Sequence, residues 1–325
     1  MAVLNTVRAL TTLVRPGMLP LIWLAVSFGF MVAHWEAGEH LRGLRPLGFA
    51  LAAWSLGHIG TMWLNAARDQ DQGPVAFGRS VSVPPYTAKL GFLALFLTIA
   101  IAIPAGPIIA VCAACLALLS VLYSHPRTAW KGHPVGGPFI NVFGYGLITP
   151  FAGLTAGHGM VSVRTVWIFL LLALSMAGLF FAAQAFQQEE DRGRGDRTLV
   201  ATHGPGTVLF ATRACFGAVA LLATIGTIIG WYPRACLWAL PLVFWIDRHL
   251  LRWRADPTGG SPAHTKTLLR RLIVLLAAIV LAATTEHLAD MLRGEQPAGR
   301  NTAQVPVPWF VLDPSHFAIL PGPEA

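Results

Sequence analysis

The chain reads as an all-α integral membrane protein, a bundle of nine transmembrane helices. Composition is the first reason: of 325 residues, 55% are hydrophobic and 12% charged, where a soluble domain carries about 25% charge. The second is that the apolar residues run in continuous blocks instead of alternating with polar ones, which excludes a strand barrel. The third is that Lys and Arg fall in the short segments between blocks, as in membrane proteins whose basic loops stay cytoplasmic.

A helix crossing the hydrocarbon needs about 20 mostly apolar residues. In chain order the blocks cover 17–34, 47–66, 86–104, 107–123, 137–156, 165–186, 207–230, 235–250 and 269–289. Backbone groups in lipid must be satisfied within the segment, so each block is expected to be a helix. The first begins after Arg15 and is long enough to span, so no cleavable signal is expected. The fifth carries Asn141 among Phe139, Phe143, Tyr145 and Phe151. An aromatic side of this kind serves either packing or a pocket, and an amide is costly in lipid unless it faces a cavity.

With the N-terminus cytoplasmic, 17 of the 23 Lys and Arg fall on the cytoplasmic side and the rest opposite. That asymmetry sets the expected topology: a multi-pass protein of the cell membrane with its C-terminus outside. Residues 1–292 then form one nine-helix domain, and 293–325 a Pro-rich non-cytoplasmic tail. The net charge of +8 is scattered through loops, and no nucleic-acid-binding module accompanies it. Cys112, Cys115, Cys215 and Cys236 lie in or beside apolar blocks, as small hydrophobes do, and imply no disulfide framework.

Two polar clusters interrupt this pattern. The second block ends in His58, Met62, Asn65 and Asp69, spaced three or four apart on one helical face, followed by Asp71, Gly73 and Pro74. Carboxylates and an amide are hard oxygen ligands suited to Mg²⁺, which takes one or two carboxylates and leaves positions for phosphate oxygens. A solvated helix end is the plainer reading. The sixth block ends in Gln184, Gln187, Glu190 and Asp191, again along one face, then Arg192, Arg194, Gly195, Asp196, Arg197 and Thr198. Both clusters fall at cytoplasmic helix ends, where two acidic faces repel unless cations stand between them. Mg²⁺ on a diphosphate would supply that charge. The arginines either clamp phosphate or only mark the cytoplasmic side.

At these residues the sequence resembles the UbiA-type prenyltransferase superfamily. Asn65 and Asp69 match its first motif, NDxxDxxxD, with Asp71 replacing a carboxylate in the manner of DxDxG variants. Asp191, Arg192, Gly195, Thr198 and Leu199 match the end of its second motif, DxxDxxxD followed by RxxGxxTL, while Gln184 and Gln187 replace two aspartates. Tyr123-Ser124-His-Pro126-Arg127, ending in Lys131, resembles its YSxPPxRLK segment, and Gly78-Arg79 the end of the loop after the first motif.

The resemblance implies a nine-helix bundle with a central cavity opening near the cytoplasmic side, and Mg²⁺-dependent transfer of a prenyl group from a prenyl diphosphate to a lipophilic acceptor, with an aromatic one favoured. Asp69, Asp71, Glu190 and Asp191 would hold metal, assisted by Asn65 and Gln187. Arg79, Arg127 and Lys131 would bind phosphate oxygens, with Gln184, Gln187 and Arg192 beside them. Tyr123 would face the allylic cation or anchor at the interface. Asn141 would line the pocket, and His58 would bind the acceptor, act as base, or simply be a satisfied intramembrane histidine. A terpene cyclase of the same fold, acting on the diphosphate alone, a membrane transporter, and a member that has lost metal binding are the alternatives.

Overall fold

A computed structural model describes residues 2–37, 43–69, 81–257 and 259–293. Backbone groups are satisfied within helices, as lipid demands, and the described residues contain no strand. The order is α1 (Ala2–Leu13), α2 (Leu19–Ala37), α3 (Leu44–Asp69), α4 (Thr87–Ala102), α5 (Pro107–Ser124), α6 (Gly136–Asn141), α7 (Thr149–Ala156), α8 (Val163–Gln184), α9 (Gln188–Gly193), α10 (Leu199–His203), α11 (Pro205–Ile228), α12 (Leu240–Arg254) and α13 (Pro262–Arg293). Asp71, Gly73, Gly78, Arg79 and the tail from 294 lie outside the described residues.

Among the described residues, eight helical segments are long and apolar enough to cross a membrane, where the sequence leads one to expect nine. The difference is the segment 235–250. It starts as a 3₁₀ turn, Arg234–Ala239, and continues as α12, whose 15 residues extend only about 22 Å. Pro241 enters at the first turn, where its missing N–H costs nothing. Asp247, Arg248, Arg252 and Arg254 then make the rest too polar to pass as a span.

The first block also differs. A separate helix, α1, precedes it, ending at Leu13 just before Arg15, whose φ is +53°. Proline at 16 disfavours the right-handed helical region for the residue before it, and the chain kinks there. The kink leaves the Val14 carbonyl without a helical partner, and His58 Nε2 on α3 donates to it at 2.8 Å. The Trp63 indole donates to Leu10 O at 3.1 Å.

The fifth span is not a uniform helix. Between α6 and α7, residues Val142–Ile148 form a π-helical stretch. Thr149 Oγ1 donates back to Gly144 O (2.8 Å) and accepts from the buried Trp54 indole (2.9 Å). Such bulges occur mostly at functional sites, and Asn141, Gly144 and Tyr145 here line a cavity.

Small residues let the helices meet backbone to backbone, as is common where lipid supplies no drive for association. A Cβ on Gly153 of α7 would run into the Val26 carbonyl of α2, and one on Gly29 of α2 into the Pro150 carbonyl. Gly60 of α3 faces the Gly91 carbonyl of α4 in the same way. One buried cluster, around Trp54, Ile109 and Phe30, joins α2, α3, α5 and α7. A second, around Trp253, Leu250, Leu209 and Leu268, joins α11, α12 and α13.

Candidate active site

Between these two clusters lies a cavity of about 1300 Å³. Most of its wall is apolar, including Leu21, Ile22, Phe28, Leu116, Ile168, Leu172 and Phe216. Besides His34, Arg164 and the Arg213–Asp247 pair, many of its polar groups gather where α3, α5 and α8 end. Asn65 and His58 come from α3, Tyr123 from α5, Lys131 from the following loop, Asn141 from α6, Gln184 from α8, then Gln187, Asp191 and Thr198 from the run that follows, with Arg15 beside them. Helices three, five and eight are alternate spans, so their C-terminal ends emerge on one side of the membrane.

Asp69 closes this end. Its side chain is 4% exposed, and Oδ2 accepts from Lys131 Nζ; Oδ1 has no hydrogen-bond partner among the described residues. Opposite, three carboxylates converge on one guanidinium. Arg194 reaches Glu190 Oε1 at 2.8 Å, Asp191 Oδ1 at 2.5 Å and Asp196 Oδ2 at 3.0 Å. Thr198 Oγ1 donates to the other Asp191 oxygen at 2.6 Å. The left-handed turn at Gly195 (φ +76°) makes the cage possible, because glycine reverses a helix end without steric cost. The returning chain docks on the loop that holds Lys131. Arg197 N donates to Gly132 O at 2.7 Å, and a Cβ on Gly132 would collide with Asp196.

The fields of the two ends overlap. Burial works against the Arg194 charge, but the Asp196 hydrogen bond and then Asp69, Asp191 and Glu190 outweigh it, so its pKa rises. Asp191 is held above the usual carboxylate range, first by burial and also by Asp196, against the pull of Thr198, Arg194 and Lys131. Asp69 acts on Arg194, and Lys131 on Asp191. The ends of α3 and α8 therefore share one electrostatic site, with Tyr123 in the field of both carboxylates and next to Asn141.

The structure brings together Asn65, Asp69, Tyr123, Lys131, Asn141, Gln184, Gln187, Glu190, Asp191 and His58. It keeps two predicted side chains away. Arg127 is exposed in the turn after α5 and is not on the cavity wall. Arg192 is also exposed, with Nε donating to Ala201 O at 2.9 Å. Arg194, one turn on from Glu190 and Asp191, pairs with those carboxylates and, like Arg127, is not on the cavity wall. Its i,i+4 and i,i+3 spacing was the available signal. Of the four aromatics on the fifth span, Tyr145 lines the main cavity, while Phe139 and Phe143 stack on each other at 5.5 Å beside a separate shallow recess.

Among the buried side-chain atoms without a partner among the described residues are two amide oxygens, Asn65 Oδ1 and Gln184 Oε1. Both residues line the cavity, 6% and 7% exposed. An unsatisfied buried acceptor costs roughly 1–3 kcal/mol, a cost that a ligand in the cavity would offset. On the α3 side, Asn65 Oδ1 and the open Asp69 oxygen fit a hard cation. On the α9 side both Asp191 oxygens and one of Glu190 are already bonded. Among the described residues, no three His, Cys, Asp or Glu side chains stand together as a ready metal cluster.

The sequence matches the UbiA prenyltransferase family over residues 22–264. The chain belongs to that family. No curated protein matches this UbiA family member in sequence, but solved structures share its fold. A UbiA homolog from Archaeoglobus fulgidus bound to GPP and Mg²⁺ superposes with a TM-score of 0.63 at 15% identity, over 85% of this chain and 99% of that one. The form bound to DMAPP and Mg²⁺ gives 0.61 at 17%, over 85% and 99%. A structure reported for digeranylgeranylglyceryl phosphate synthase in membranes gives 0.59 at 18%, over 86% and 99%.

The Thr198–Asp191 bond gives a pH-dependent expectation for this UbiA protein. Asp191 has a raised folded pKa, so its stabilising contribution is complete below the unfolded value and falls as pH rises through the folded one. Thr198→Val removes a bond to the ionised form, worth about 2 kcal/mol, and raises the folded pKa further. The variant should melt below wild type at pH 7.5, and the gap should narrow at pH 5. Thermal melts in detergent at the two pH values measure this, and an equal gap at both would refute it.

Proposed function

We propose that the chain transfers a prenyl group from a prenyl diphosphate to a lipophilic acceptor, favouring an aromatic one, with Mg²⁺ as cofactor. One observation carries the reading: a largely apolar cavity has at one end a cluster of Lys131, Asp191 and the amides of Asn65 and Gln184, whose oxygens are unpartnered among the described residues. That shape matches an amphiphile with an isoprenoid tail and a diphosphate head. The A. fulgidus homologs, solved with GPP or DMAPP and Mg²⁺, support it.

In this reading Asp69 and Asp71, with the Asn65 amide oxygen, would hold the metal. When bound, Mg²⁺ supplies Lewis-acid charge to the departing diphosphate. Lys131, on the cavity wall, adds positive charge at the head-group end, where preorganised electrostatics count most. Gln184 and Gln187 orient the head group. The allylic C–O bond breaks, diphosphate leaves with the electron pair, and the carbon becomes cationic. The Tyr123 ring faces that carbon, a cation–π contact worth about 2 kcal/mol when desolvated. The acceptor attacks, forming the new bond and then losing a proton. Asn141 lines the pocket. His58, with Nε2–H committed to Val14 O, keeps Nδ1 as a lone-pair acceptor for acceptor binding. The topology that goes with this reading places the N-terminus and the polar end on the cytoplasmic side, with 1–292 as the catalytic domain.

The test is incubation of membranes holding the chain with labelled geranyl diphosphate, with and without a hydroxylated aromatic acceptor. Transfer that needs acceptor and is lost on EDTA treatment, then restored by Mg²⁺, is the expected result. A cyclic product formed without acceptor would instead identify a cyclase. Failure to consume the diphosphate would refute both.

A further inference from the structure

Resting on the reading of this cavity as a prenyl diphosphate site, we infer that the Arg213–Asp247 pair on its wall binds the acceptor through a neutral hydroxyl or carbonyl oxygen and selects against a carboxylate there. Arg213 belongs to α11, about 12 Å from the start of that span, and Asp247 to α12. Arg213 Nε donates to Asp247 Oδ1 at 2.6 Å and Nη2 to Oδ2 at 3.1 Å. Both residues line the cavity, and neither is sealed, with side chains 27% and 39% exposed. An ionised side chain at membrane depth is costly, and one that faces a cavity commonly marks a substrate path. Thr212 Oγ1 donates to Gly178 O at 3.3 Å. That contact sets Arg213 near the level of Gly178 on α8, about 9 Å along that helix from Gln184. The cavity thus has a second polar station, apart from the head-group end, and the diphosphate chemistry leaves it unused.

The two-point pairing fixes the plane of the guanidinium and uses only part of its donor set. Nη1 has no hydrogen-bond partner among the described residues, and each Asp247 oxygen keeps a further lone pair. Donors and acceptors therefore stand side by side on one wall. A hydroxyl can donate to Asp247 and accept from Arg213; a carbonyl can accept from Arg213. The pair as a whole is neutral. A carboxylate placed against it would bring a net negative charge to a largely apolar wall, next to Asp247 and with no cation left to balance it. One turn away on the same helix faces, Phe216, Gly217, Val243 and Leu250 also line the cavity, an apolar surround that suits a ring. A diphosphate held at Lys131 leaves this wall to the second substrate.

The test compares three probes of one ring system. Purified full-length chain in nanodiscs is saturated with Mg²⁺ and geranyl thiolodiphosphate, which does not ionise readily. It is then titrated with 2-naphthol, naphthalene and 2-nathphoate, read by ring fluorescence against empty nanodiscs. Wild type should bind 2-naphthol about tenfold or more tightly than either of the others, the scale of a hydrogen bond to a charged group; equal affinities would overturn the inference. The double variant Arg213→Met, Asp247→Leu should melt like wild type, because apolar replacement of an ion pair is often neutral or stabilising, and should lose the preference for 2-naphthol over naphthalene. A folded double variant that keeps the preference would overturn the inference and leave the pair as a tie between α11 and α12. If the double variant does not fold, Asp247→Asn decides: it leaves the Arg213 charge unbalanced and should tighten 2-naphthoate binding about tenfold, and an unchanged affinity would overturn the inference. A folded variant that no longer binds geranyl thiolodiphosphate would place the pair at the diphosphate instead and overturn it too. No Mg²⁺-dependent binding of that analogue by wild type would refute the prenyl diphosphate reading itself, a result separate from the comparison of rings.

Discussion

Asp69→Ala should reduce kcat for prenyl transfer by about 10³-fold or more, the scale seen when one preorganised charge-stabilising group is lost, and leave the protein folded. The aspartate is 4% exposed and bonded to Lys131, and its remaining oxygen is on the side where the amide of Asn65 waits for a ligand. Removing it takes away the described carboxylate best placed for metal and frees Lys131 to turn toward bulk water, since that side chain is 23% exposed. The protein survives because the helix end loses no packing: the buried residues of α3 lie before it, from Ala50 to Ala66. Lys131→Met should be milder, because it removes a phosphate contact and keeps the carboxylate. The double variant should cost less than the two single effects combined, because the groups act as a pair. Turnover in proteoliposomes measures all three. An Asp69→Ala protein with more than a tenth of wild-type kcat would remove α3 from the chemistry.

Gly153→Ala should cost at least about 3 kcal/mol, the upper range for overpacking a tight interior, despite being the smallest substitution that adds a side chain. The added Cβ would fall inside the Val26 carbonyl, and backbone cannot swing aside as a side chain can. α2 and α7 would have to separate. That would loosen the mutual contact at Gly29 and disturb the Trp54–Thr149–Gly144 chain that ties the π stretch beside the cavity. Gly48→Ala is the control. It lies in α3 with nothing within 4 Å of the new carbon, so helix propensity alone acts and should stabilise by up to about 1 kcal/mol. Melting temperatures in detergent separate the two. Similar midpoints for both variants would show that the α2–α7 contact has slack.

Much of the architecture was legible because the bilayer imposes it. Apolar blocks near 20 residues long must be helices, and eight of the nine read from the sequence are helices long and apolar enough to cross a membrane. The exception, 235–250, had the hydrophobicity but not the length once Pro233 and Pro241 delayed the helix start and the charges from Asp247 onward are counted. The polar face of α3 was legible for a similar reason. His58, Met62 and Asn65 repeat at helical spacing inside an apolar segment, an arrangement that lipid does not tolerate without a cavity.

Other features depend on partners far away in the chain. The role of His58 follows from a carbonyl released by the kink at Arg15, 43 residues earlier in the numbering. The pairing of Arg194 with three carboxylates depends on a turn at Gly195 and on docking against Gly132.

The sequence by itself determined the helical membrane class, the family and which helix ends carry the polar groups, because hydrophobic length and helical periodicity are local properties that a linear chain displays directly. Only the tertiary structure decided which carboxylates keep an open oxygen. Whether Asp69 or Asp191 can accept a metal depends on which cations and hydroxyls fold against it, and that pairing exists only once distant loops have come together.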